Sequence, residues 1–135
     1  KEEPTEEPKP SPEEGDHFGK ALLEAWIDGI EGVVEIRCWP REEIQRFRMV
    51  ICGLEVEDHV LFEIEHPGGE GWVRLGTRYA NGDGIARIDT DNDLEMPFGF
   101  ESVKELVGLK VRIRRYEETN DDVLMDGVVP ELIRD

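Results

Sequence analysis

The chain has 135 residues and a formal net charge of −17, from 33 acidic against 16 basic side chains. That length holds one domain, and no run approaches the roughly 18–20 apolar residues of a membrane-spanning helix. A field of this sign repels phosphate backbones and anionic lipid, so nucleic acid, acidic membrane surfaces and membrane insertion are excluded as expectations.

The first sixteen residues, K-E-E-P-T-E-E-P-K-P-S-P-E-E-G-D, hold four of the eight prolines and no large apolar side chain. They bury too little surface to offset the entropy of ordering. Residues 1–16 therefore read as a disordered Pro/Glu-rich linker, and residues 17–135 as a single β-sandwich domain.

Gly19–Asp28 (G-K-A-L-L-E-A-W-I-D) reads as a strand, with Leu23, Ala25 and Ile27 on one face and Glu24 and Trp26 on the other. D-G-I-E-G turns the chain into Val33–Trp39, which alternates cleanly: Val34, Ile36 and Cys38 inward, Glu35 and Arg37 outward. After P-R-E-E, Ile44–Cys52 points Phe47, Met49 and Ile51 inward. A hairpin of these two strands sets Arg37 opposite Arg46 and Glu35 opposite Arg48, a mixed-charge ladder on the outer face. His59–His66 follows, with Val60, Phe62 and Ile64 inward and Leu61, Glu63 and Glu65 outward. Trp72–Ala80 is a further alternating strand, with Val73, Leu75, Thr77 and Tyr79 on its core side. Asn81-Gly-Asp-Gly84 signals a tight hairpin into Ile85–Asp89. Ser102 and Glu105 have the spacing of a helix capping box and predict one short helical turn at 102–107. Leu109–Arg115 and Val123–Val129 are the last strands, ended by Pro130.

About eight short strands at regular spacing predict an all-β fold: an antiparallel β-sandwich, immunoglobulin-like or jelly-roll-like, with a closed β-barrel as the alternative.

Between the Asn-Gly turn and Ser102 the chain passes through D-T-D-N-D-L-E-M-P-F-G-F. Asp89, Asp91, Asp93 and Glu95 are the candidate metal ligands, because calcium takes six to eight oxygens at about 2.3–2.6 Å. The spacing begins like an EF-hand loop and then departs from it: Leu94 stands where a glycine is needed and Phe100 where a glutamate closes the site. A solvated acidic connection is the plainer expectation.

Other chemistry finds little support. The two serines are Ser11, in the linker, and Ser102, the predicted cap, so no serine nucleophile is on offer. His59 and His66 lie seven positions apart on one strand, about 23 Å, too far for one metal. Cys38 and Cys52 read as two inert thiols, with a disulfide as the alternative. No pair of carboxylates is singled out as acid and base. By strand parity Trp26, Trp39 and Trp72 all fall on the non-core side. Such tryptophans form either a sugar-stacking platform or a protein interface.

The closing half, with N-G-D-G, I-A-R-I-D-T, M-P-F-G, L-V-G-L-K-V-R-I-R and V-L-M-D-G-V-V-P, is similar in rhythm to β-sandwich modules of bacterial exported proteins. The resemblance implies an extracellular, cell-surface or periplasmic setting and no catalytic residues. The expectation is thus a non-enzymatic structural or protein-interaction module, partnered by another protein or by itself through strand edges. The alternative is a carbohydrate-binding module, with or without calcium.

Overall fold

The computed structural model describes residues 17–39, 44–90, 96–100, 102–116 and 123–134, without the side chains of Trp39, Ile44 and Arg134. The linker 1–16 lies outside the described residues. Among the described residues there are ten strands: β1 (His17–Leu22), β2 (Glu24–Ala25), β3 (Glu31–Trp39), β4 (Ile44–Cys52), β5 (His59–Glu65), β6 (Trp72–Tyr79), β7 (Ala86–Asp89), β8 (Lys110–Arg115), β9 (Val123–Val128) and β10 (Ile133–Arg134). They form two antiparallel sheets, sheet A in the order β10-β1-β3-β4-β7 and sheet B in the order β2-β9-β8-β5-β6. The sheets pack face to face and do not close into a barrel.

Alternation explains the core. From sheet A, Val34, Ile36, Phe47, Met49, Ile51 and Ile88 point inward. From sheet B, Val60, Phe62, Ile64, Val111, Ile113 and Met125 meet them. All twelve have no accessible surface, and each contributes roughly 1.5–3 kcal/mol on burial. The β3–β4 register is the predicted one: Glu35 faces Arg48 and Arg37 faces Arg46. The like-charged pair is relieved sideways, since the Arg37 guanidinium lies over the Phe18 ring at 4.5 Å and Arg46 reaches Asp89 at 4.0 Å.

Four expectations are corrected. Gly19–Asp28 is two strands in different sheets, because the chain changes sheet at Leu23. There Leu23 N–H donates back to Gly32 of β3, and Trp26 N–H donates to Leu124 of β9. Leu23 is buried at the crossing, while Ala25 and Ile27 face outward.

The Asn81–Gly84 turn forms, but it does not pair β6 with β7. Ala80 stays bonded to Glu57 and Asp58 beside β5, whereas Gly84 accepts from Leu54, just past β4. The turn therefore carries the chain from one sheet to the other, and β7 pairs with β4.

A bulge in β6 reverses its parity. Glu63 faces Arg74, but Phe62 faces Gly76, so one residue is extra between them. Beyond the bulge Thr77 and Tyr79 stand on the outer face, opposite Leu61 and His59.

Finally, Pro130 does not end the sheet, since β10 adds two residues to the edge of β1. The helical turn is where the capping spacing puts it, as a 3-10 turn at Val103–Leu106 with the Ser102 hydroxyl accepting from Lys104 N–H at 3.1 Å. Both cysteines are free. Cys38 faces Gln45 and Cys52 faces Glu31, at opposite ends of the β3–β4 ladder, about 23 Å apart.

Candidate functional site

The outward residues of β5 begin the site. Leu61 and Glu63 point away from the core, yet only 3% and 4% of their surfaces are exposed. Long neighbours cover them. Arg112 and Arg114 on β8 stand opposite Glu63 and Leu61, and Arg74 on β6 stands opposite Glu63 from the other side. Arg112 Nε donates to Glu63 Oε1 at 2.6 Å and Arg114 Nη1 at 3.5 Å. A buried carboxylate persists only when such partners replace its water. In return it draws two arginines down along the sheet. The Trp72 ring packs on the Arg112 guanidinium, with Cζ 4.0 Å from the ring centroid.

One strand further, Asp126 on β9 faces Arg112 and Glu24 on β2 faces Asp126. Trp26 Nε1 donates to Asp126 Oδ1 at 3.1 Å. The order across the sheet is therefore Trp26, Asp126, Arg112, Trp72. A groove of about 460 Å³ runs here, lined by Leu22, Glu24, Trp72, Lys110, Asp126 and Val128 among others. A smaller hollow of about 280 Å³ between Ala25 and Trp26 shares Glu24 and Asp126 with it. The two make one depression with a tryptophan at each end and carboxylates between. Its rim is apolar: Leu22 is 79% exposed, Trp26 60% and Val128 48%.

Toward the other end of the same face the aromatic groups continue. His59 stacks on Tyr79 with ring centroids 3.9 Å apart and meets the Tyr116 ring edge-on at 4.9 Å. The Arg74 guanidinium lies 5.4 Å from the Tyr116 centroid. Tyr79, predicted to face the core, is 65% exposed. Its exposure follows from the bulge, and the signal for that bulge was Gly76, an isolated glycine within a strand pattern.

Of the three tryptophans, the structure brings Trp26 and Trp72 to one face. Trp39 ends β3 in sheet A, and its side chain lies outside the described residues. Of the expected platform, the described side chains place the pair Trp26 and Trp72 on the outer face of sheet B.

The expected calcium site does not include Asp89 as a free ligand. Asp89 is buried in β7, and its Oδ2 accepts from Arg48 Nε at 3.0 Å while Arg46 lies beside Oδ1 at 4.0 Å. Arg48 also reaches Glu35 at 3.3 Å, so Asp89 joins the charge ladder of sheet A. Asp91, Asp93 and Glu95 lie outside the described residues. Among the described residues no three His, Cys, Asp or Glu side chains stand together as metal ligands.

His59 and His66 are parted as expected. His66 Nδ1 accepts from Gly68 N–H at 3.1 Å, and its ring packs edge-on against Phe98. Among the described residues no helix is long and apolar enough to cross a membrane.

Fold and site together define an open all-β sandwich that carries, among the described residues, a concave sheet surface lined by aromatic and arginine side chains. Compared with known proteins, the chain matches no family model and no curated protein.

Proposed function

We propose that this protein is a non-enzymatic binding module that holds a carbohydrate chain across the outer face of sheet B. The observation that carries this reading is the depression between Trp72 and Trp26, floored by Asp126 and Glu24. Indole faces offer apolar area at low entropic cost, and sugar rings present matching apolar faces with hydroxyls at their rims. Carboxylates and guanidinium groups along the floor suit those hydroxyls as acceptors and donors.

The edges of the sheets support a face rather than an edge as the working surface. β2 and β10 are two residues long and β7 is four, too short to template another strand. β6 is long enough, but it carries a bulge and the charged residues Arg74 and Arg78. Both are devices that discourage pairing along an edge. A setting in an exported or cell-surface protein rests on the resemblance of the closing half to exported β-sandwich modules.

The test is a titration with a panel of soluble neutral and acidic polysaccharides, following intrinsic tryptophan fluorescence. At least one polysaccharide shifts or quenches the emission, and Trp26→Ala weakens its binding about tenfold, the scale of one lost aromatic contact. An unchanged spectrum across the whole panel removes the carbohydrate reading.

A further inference from the structure

Charge is distributed unevenly across the proposed binding face. On its β2–β9 side stand Glu24 and Asp126. On its β8–β5–β6 side four cations, Lys110, Arg112, Arg114 and Arg74, meet two carboxylates, Glu63 and Glu65. Glu63 lies underneath, 4% exposed, so the accessible layer there is cationic. This local excess sits in a chain whose formal charge is −17. Screening decides which counts at contact: at physiological salt the Debye length is about 8 Å, so a bound anion feels the arginines beside it more than distant carboxylates.

The cations are also interleaved with rings. Arg112 lies on Trp72 at 4.0 Å and Arg74 lies near Tyr116 at 5.4 Å, with His59 and Tyr79 beyond. Trp72 and Tyr116 thus each have a guanidinium beside them, and Arg74 and Tyr79 are exposed.

We infer that the β8–β5–β6 half of this face selects a polysaccharide bearing carboxylates, a uronate-containing chain, through Arg74 and its neighbours. The inference rests on the carbohydrate reading and sharpens it. A uronate residue presents an apolar ring face and an anion on the same unit, the two features that alternate along this surface. A peptide docking by strand addition fits less well, because that mode uses a free edge; a peptide read through its acidic side chains is the poly-glutamate arm of the test below. Here the basic and aromatic groups lie on the face, where the backbone bonds of β8 and β5 are already used within the sheet. A single-stranded nucleic acid would also find rings and arginines and carries the same charge per unit as a polyuronate, so poly-thymidylate joins the titration below, and its binding as tightly as polyuronate overturns the sugar class.

The experiment is isothermal titration of the whole chain with polygalacturonate, alginate, fully methyl-esterified polygalacturonate, poly-glutamate and poly-thymidylate at 0.15 M salt. The expected result is binding to at least one polyuronate, at least tenfold weaker binding to the esterified polymer, and none to poly-glutamate or poly-thymidylate. Arg74→Gln weakens polyuronate binding about tenfold, whereas Arg87→Gln, an equal loss of charge on exposed β7 surface of sheet A, leaves it unchanged. Circular dichroism melts of both variants confirm that they fold. Equal binding of esterified and free polymers overturns the selection for carboxylates while leaving the carbohydrate reading in place. Equal losses in the two arginine variants overturn the assignment to this face. Binding of poly-glutamate as tight as polyuronate overturns the sugar class in favour of an acidic protein, and no binding to any polysaccharide removes both readings.

Discussion

Glu63 is the residue on which the outer face of sheet B turns. Its carboxylate is buried under Arg112 and Arg114, and Arg112 in turn supports the Trp72 ring. Replacing Glu63 by Gln keeps the shape but leaves two guanidinium groups facing a neutral amide. Because those arginines remain about a fifth exposed, water recovers part of the loss. The expected cost is about 1–2 kcal/mol, below the range for a fully buried pair. Urea unfolding checks this as a lower midpoint with an unchanged slope. An unchanged midpoint would show that the carboxylate contributes nothing to the stability of this face. The sequence showed Glu63 only as one outward residue of an alternating strand. Nothing local marks it as buried, since its cover comes from β6 and β8, eleven and forty-nine positions along the chain.

The strands themselves were largely readable, because period-2 alternation is a local property. β3, β4, β5 and β8 have the inward residues that their sequences imply. Sheet membership was not readable. A short apolar segment such as Gly19–Asp28 looks the same whether it stays in one sheet or crosses at Leu23. The Asn81–Gly84 turn makes the point most sharply. Asn81 Oδ1 accepts from the N–H groups of Asp83 and Ile85, at 2.8 and 3.1 Å, which closes the loop tightly. The backbone then passes Leu54 at Gly84, with φ +75° and a Cβ position only 2.2 Å from Leu54 O. Gly84→Ala meets both the strained φ and that carbonyl, and should cost about 2–3 kcal/mol. Gly82→Ala, in the same turn with nothing within 4 Å, should be close to neutral. Paired thermal melts distinguish them. Equal effects would mean that the crossover between sheets does not depend on the close approach at Gly84.

At the scale of the whole molecule, the edges and the faces make opposite predictions. Among the described residues, three edge strands of two to four residues and a fourth interrupted by a bulge leave little for strand-to-strand assembly. The chain is expected to run as a monomer by size-exclusion with light scattering at tens of micromolar. A defined dimer or filament would return weight to the strand-edge reading that the sequence alone had favoured. The binding face was only partly legible beforehand. Tryptophan parity pointed to Trp26 and Trp72, but Tyr79 was hidden by the bulge. The row from Trp26 through Asp126 and Arg112 to Trp72 joins residues as far as 100 positions apart. Only the pairing order β2-β9-β8-β5-β6 assembles it.

Binding of the ligand on the outer face of sheet B is tested most directly by nuclear magnetic resonance. The three tryptophan indole N–H signals are followed while the tightest polysaccharide from the panel is added. The Trp26 and Trp72 indoles are expected to shift together with the amides of β8 and β9, while Trp39 and the strands of sheet A stay in place. Shifts confined to sheet A, or spread evenly over both sheets, would contradict binding at that face.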